Sequence, residues 1–106
     1  MNKMYRQGDV LLQKVNELPS NAKPKKDDII LRGEATGHAH RIANGQIYET
    51  IQKEIFQPEI KTMYIVAKKS ARLVHEEHAP IDIEIGIYIV IRQREFDDEA
   101  TRLVMD

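Results

Sequence analysis

The stretch Ile81-Asp82-Ile83-Glu84-Ile85-Gly86-Ile87-Tyr88-Ile89-Val90-Ile91 decides the fold class. Its first half alternates isoleucine with acid, the period of two that sets apolar side chains on one face of a strand and charges on the other. Its second half is apolar at every position, as in a central strand covered on both faces. Gly86 breaks the pattern between the halves. Working back along the chain, Thr62 to Ala67 reads as another strand, Lys68-Lys69-Ser70 as a turn, and Ala71 to His75 as the strand that runs back. Working forward, Arg92 to Phe96 carries the chain outward, and Asp97-Asp98 can cap a short C-terminal helix over Glu99 to Met105.

The N-terminal half follows the same grammar. Gly8-Asp9 is a turn that opens a strand continued by Val10 to Val15. Asn16 to Lys26 carries Pro19 and Pro24 and reads as a loop, because proline removes a backbone donor and fixes φ. Ile29 to Ala35 is a second strand and His38 to Ile42 an extended run. Asn44-Gly45 then gives the strongest short hairpin signal a sequence offers, since a type I′ turn needs positive φ at both central residues. Gln46 to Ile51 is the expected return strand, and residues 52–61, with Pro58, a connection. This makes about seven or eight short strands at the spacing of sandwiches and small barrels. The expectation is one all-β domain over residues 1–106, a small barrel, β-roll or sandwich with a short C-terminal helix.

Composition narrows the function. The chain of 106 residues carries 16 Lys and Arg against 17 Asp and Glu, so bulk electrostatics give no case for non-specific nucleic-acid binding. The basic run Lys23-Pro24-Lys25-Lys26 is followed at once by Asp27-Asp28 and reads as solvated surface. There is no cysteine, which suits a reducing compartment. No apolar run approaches the ~20 residues needed to span a bilayer, and Met1 to Asp9 has no apolar signal-peptide core. A cytoplasmic protein with no membrane partner is expected, with sheet edges that leave homo-oligomer formation open.

The histidines carry the chemistry. All four fall in two clusters, Thr36-Gly37-His38-Ala39-His40 and His75-Glu76-Glu77-His78. On a strand, His38 and His40 point to the same side and form a natural half-site for a transition metal. His75 and His78 would face opposite ways on a strand, and converge only if Glu76-Glu77 makes a turn, a bulge or one helical turn. Either Glu76 or Glu77 could then act as a ligand or as a catalytic general base. The spacing of three is not that of the metalloprotease helix, whose histidines stand four apart. Imidazole ligands point to zinc first, with iron, manganese or nickel as alternatives.

Three readings follow. In the first, His38, His40, His75 and His78 supply a metal centre, and a metal-dependent hydrolase is the enzyme class such a centre would serve. In the second, paired histidines cleave a phosphodiester without metal. In the third, the histidines only hydrogen-bond and staple the domain. The rival from another class is a non-catalytic binding module. The first two readings require the clusters to meet, with ring nitrogens on the order of 3–4 Å apart.

The blocks Arg6-Gln7-Gly8-Asp9-Val10-Leu11, Gly33-Glu34-Ala35-Thr36-Gly37-His38-Ala39-His40 and His75-Glu76-Glu77-His78-Ala79-Pro80, followed by Gly86-Ile87-Tyr88 and Arg92-Gln93-Arg94-Glu95-Phe96, carry a resemblance. In this order they resemble a family of small, uncharacterised bacterial and bacteriophage proteins. The resemblance covers nearly the whole chain. It implies a bacterial or phage setting, an accessory phage module being one form of the binding role, and it brings no activity with it.

Overall fold

Val10, Leu12, Ile47, Ile65, Leu73 and Tyr88 are the largest fully buried side chains, and each lies on a strand where neighbouring positions turn outward. Burying one such side chain contributes roughly 1.5–3 kcal/mol, so this single cluster defines the interior. The computed structural model describes residues 3–33, 37–53, 55, 56 and 59–92. Among them are eight strands and no helix: β1 (Met4–Gln7), β2 (Val10–Val15), β3 (Lys23–Pro24), β4 (Ile29–Arg32), β5 (Ala39–Gln52), β6 (Ile60–Val74), β7 (Ile81–Ile83) and β8 (Gly86–Arg92). No helix among the described residues is long and apolar enough to cross a membrane. The expected C-terminal helix over residues 99–105 lies outside the described residues.

The strands form one antiparallel sheet in the order β1-β2-β8-β6-β5-β3, with β4 added to β5 and β7 added to β6. The doubly apolar segment is β8, paired with β2 on one side and β6 on the other. Its Tyr88 is fully buried, donates its hydroxyl to Glu84 O at 2.7 Å, and packs edge-on against Tyr5. Burial, with Tyr5 second, pushes the Tyr88 hydroxyl well above its ordinary pKa, so it stays a neutral donor. The alternation over residues 81–85 is only partly realised. Ile83 is buried, but Ile85 is exposed, because Glu84-Ile85 is the corner between β7 and β8.

Three sequence expectations are corrected. The first strand begins earlier: Met4–Gln7 is a strand of its own, and Gly8-Asp9 is the two-residue turn that folds it onto β2 with Gln7 opposite Val10. Asn44-Gly45 is not a hairpin turn, and Lys68-Lys69-Ser70 does not reverse the chain. Residues 39–52 form one strand and 60–74 another, paired from Arg41–Val74 to Gln52–Ile60. Both signals mark the place where this long hairpin bends. Ala43 pairs with Arg72 and Gly45 with Ala67, so Asn44 alone stands opposite residues 68–71. Asn44 (φ 57°) and Ser70 (φ 63°) both adopt left-handed backbone, and Asn44 Nδ2 donates to Ser70 O at 3.0 Å. A bulge adds a residue and reaims the strand. Here Ile42 before it and Ile47 after it are both buried, although strict alternation would put them on opposite faces, so the core face stays continuous through the bend.

The bend divides β6 between two partners: Tyr64–Ala67 pairs with β8, and Ala71–Leu73 with β7. The sheet therefore curls, and it brings β7 and the end of β6 towards the outer side of β1. It does not close into the expected barrel. No ladder joins β1 to β7 among the described residues, and side chains bridge the opening instead. Tyr5 Oη accepts Glu84 N–H at 3.3 Å, and Gln7 Nε2 donates to Ala79 O at 2.9 Å and to Leu73 O at 3.2 Å. At the far end of the hairpin Ile51, Ile55, Phe56 and Ile60 are exposed.

The bend makes its own prediction. Asn44→Gly keeps the left-handed conformation accessible, whereas Asn44→Val pays the steric cost of positive φ for a β-branched residue and loses the bond to Ser70. Denaturant titration should show Asn44→Val less stable than Asn44→Gly by about 1–3 kcal/mol. Gly45→Val should also destabilise, through crowding: a Cβ at Gly45 would sit 2.9 Å from Ile42 Cγ1 and 3.1 Å from Val66 O.

Candidate metal centre

The curl brings the two histidine clusters together. His40 lies on β5, one residue from its start, and is buried. His75 follows the last residue of β6, and Glu76-Glu77-His78 leaves the ladder as a bend before β7. The departure at Glu76-Glu77 that the sequence requires is therefore present. One ligand atom from each of His40, His75 and His78 can be chosen so that all lie within 4.8 Å of one another. Ring centroids are 4.3 Å apart for His40 and His75, 4.7 Å for His75 and His78, and 5.7 Å for His40 and His78. Two nitrogens at about 2.0–2.1 Å from one tetrahedral zinc ion stand about 3.4 Å apart, so a pair at the 4.8 Å limit would close by up to about 1.5 Å to share it. His75 is half-buried and His78 exposed, which leaves both room to rotate.

His38 is set apart from this trio. It precedes β5, its carbonyl accepts Gly33 N–H at 2.8 Å, and its Nδ1 lies 3.2 Å from Glu77 Oε1. Its ring stands edge-on to His75 at 5.8 Å. The two glutamates also part company. Glu76 Oε2 accepts Ala39 N–H at 2.9 Å, tying the loop after β6 to the start of β5. That bond first, then its own backbone N–H, with His38 and His75 adding attraction, holds the Glu76 carboxyl below its ordinary range. Glu77 lines a cleft of about 330 Å³ together with Gly8, Asp9, Gly33 and the four histidines, whereas Glu76 lies outside it. A larger cleft of about 600 Å³ sits at the bend, but its Arg72 is already paired with Asp82 at 2.9 Å.

Two residues of the β1–β2 turn belong to the site as well. Gly8 (φ 58°) adopts left-handed backbone, and a Cβ there would stand 2.8 Å from His78 Nε2 and 3.3 Å from His40 Cε1. Glycine therefore serves the turn and also leaves space beside two imidazoles. Gln7 is buried, and its Oε1 lies 2.9 Å from His40 Nδ1. Sequence reasoning read Gly8-Asp9 as a turn alone and passed over Gln7, although both lie inside the Arg6-Gln7-Gly8-Asp9-Val10 block. No local signal marks Gln7, because its partners His40, Leu73 and Ala79 are all remote in the chain.

The imidazoles differ in which nitrogen they offer. Glu77 N–H donates to His75 Nδ1 at 3.0 Å, so the neutral His75 ring carries its proton on Nε2. Coordination through either nitrogen then requires the Glu77 amide to release Nδ1. The donor set is all imidazole, which suits zinc, copper, nickel or iron better than calcium or magnesium.

The chain matches the model of a domain of unknown function, DUF8820, over residues 6–93. It belongs to that family. The DUF8820 match spans from Arg6 beyond the end of β8 and includes every residue of the candidate centre. No curated protein and no solved structure matches the chain.

Gly8→Ala should separate the two duties of this glycine. Left-handed backbone costs an alanine about 1–2 kcal/mol, which thermal or denaturant unfolding will read. The new methyl also pushes against His78, so metal uptake should weaken beyond what lost stability explains, as measured by titration at a temperature where the variant is fully folded.

Proposed function

We propose that this DUF8820 protein binds one transition metal, zinc first, through His40, His75 and His78. The observation that carries the proposal is the convergence of three imidazole ligand atoms within 4.8 Å from segments 35 residues apart, His40 and His75. Three protein ligands with an open fourth position is the arrangement of catalytic zinc sites. The cleft beside the trio supplies such an opening, and His38 with Glu77 on its wall supports metal-assisted hydrolysis as the reaction class. In that reading Glu77, through His38, is the proton-handling pair, and Glu76 is the tether of the loop.

Protein purified without a histidine tag should contain about one zinc per chain, or take one up on titration, and His40→Ala with His75→Ala should abolish uptake. Binding should weaken on moving from about pH 7.5 to about pH 5.5, because protons compete for the imidazole lone pairs. Loading should also shift the Glu77 amide resonance, since His75 must release it. Elemental analysis without zinc, iron, manganese, nickel or copper, together with a flat titration at neutral pH, refutes the proposal. A loaded centre that hydrolyses neither ester nor phosphodiester substrates would leave a metal-stabilised binding module.

A further inference from the structure

We infer that Gln7 is the positioning residue of this centre: it selects Nε2 as the nitrogen that His40 offers, and it holds both ends of the loop that carries His75 and His78. The inference rests on the metal reading for what Nε2 binds, but its structural half stands on hydrogen bonds alone. Gln7 is 3% exposed, so each polar atom of its side chain needs a partner within the protein. Its Nε2 donates to Leu73 O at 3.2 Å and to Ala79 O at 2.9 Å, which uses both of its N–H groups. The reversed amide would set an oxygen against two carbonyl oxygens and leave the NH₂ group facing a ring nitrogen. The orientation is therefore fixed by the backbone, and Oε1 faces His40 Nδ1 at 2.9 Å.

An amide oxygen only accepts, so His40 Nδ1 must carry the proton. A neutral imidazole has one N–H, and the lone pair is then on Nε2. His40 is itself 6% exposed and cannot correct a wrong tautomer by turning to water. Hydrogen bonding of the non-ligating nitrogen is the usual way a protein sets tautomer and ring angle at a metal-binding histidine. The two donor bonds do the second part of the work. Leu73 lies just before the segment bearing His75, and Ala79 directly follows His78, so one carboxamide grips the loop at its entry and its exit. His40 comes pre-set, whereas His75 must first release the Glu77 amide, so the centre has one fixed ligand and one that rearranges.

The test begins with the metal-free wild-type protein. Long-range ¹H–¹⁵N correlation of the imidazoles should show His40 protonated at Nδ1. An Nε2–H ring there overturns the inference even if the protein binds zinc. Gln7→Leu, similar in volume and without polar atoms, should free the His40 ring from the Nδ1–H form and lower zinc affinity about 10–100-fold. Gln7→Glu keeps an acceptor for Nδ1–H but has no donor for Leu73 or Ala79. It should retain the His40 tautomer while amide exchange rises across residues 74–79. Should Gln7→Leu fail to fold, the wild-type spectrum and Gln7→Glu still decide. An unchanged tautomer and unchanged zinc affinity in a folded Gln7→Leu protein overturns the inference. The Nδ1–H form in a wild-type protein that takes up no metal supports Gln7's hold on the ring and refutes the metal centre instead.

Discussion

Everything in this domain depends on one bend. Asn44 and Ser70 face each other across the longest hairpin, both in left-handed backbone, joined by a side-chain to main-chain hydrogen bond. A straight ladder of this length would be a flat ribbon with two wet faces, and a two-stranded ribbon has little stability of its own. The bend converts it into two short ladders at an angle, one completed by β8 and the other by β7. The core then fills the concave side, with Leu73 and Ala71 from one arm and Ile65 and Met63 from the other. The break in alternation at Asn44 allows β5 to serve the same interior on both sides of the bend.

The histidine centre is a by-product of that geometry that has been furnished in detail. The curl sets the end of β6 beside the start of β5 and presents both to the β1–β2 turn. Each neighbour then contributes something a bare cluster would lack: an acceptor for His40, space beside His78, a carboxylate for the Ala39 amide, and a partner for His38. The most buried ring, His40, is held by a glutamine whose own orientation is fixed by two backbone carbonyls.

Much of this was legible in the residues. Alternation over residues 81–85 and the apolar run over 87–91 gave the all-β class, and the acidic break at Glu76-Glu77 gave the meeting of the clusters, whereas the i, i+2 rule did not hold for His38, which precedes β5 and lies outside the trio. The hairpin reading of Asn44-Gly45 failed for a specific reason. Positive φ at asparagine serves a tight turn and a bulge equally well, and the flanking alternation does not distinguish them. What separates them is the partner strand, whose matching irregularity at Ser70 lies well downstream in sequence. The same limit hid Gln7. Its role is defined by Leu73, Ala79 and His40, none within thirty residues of it, so no local pattern could announce it. Barrel closure was overestimated because strand counting says nothing about whether the first and last ladders actually meet.

The bridge from Gln7 to Ala79 spans 72 positions, and that from Tyr5 to Glu84 spans 79. Such contacts form only after a large loop has been closed, and the entropy of closing it is lost before any bond repays it. The β5–β6 hairpin and the β7–β8 corner are comparatively local and can organise first. Loop-closure entropy places the bridging of β1 to β7, like the β2–β8 ladder, after those local elements, and the histidine centre lies beside that bridge. Were the proposed centre to take up a metal, its occupancy would report whether the chain has finished folding: an unfinished sheet would present four scattered imidazoles, and only the completed one gathers three of them at a point.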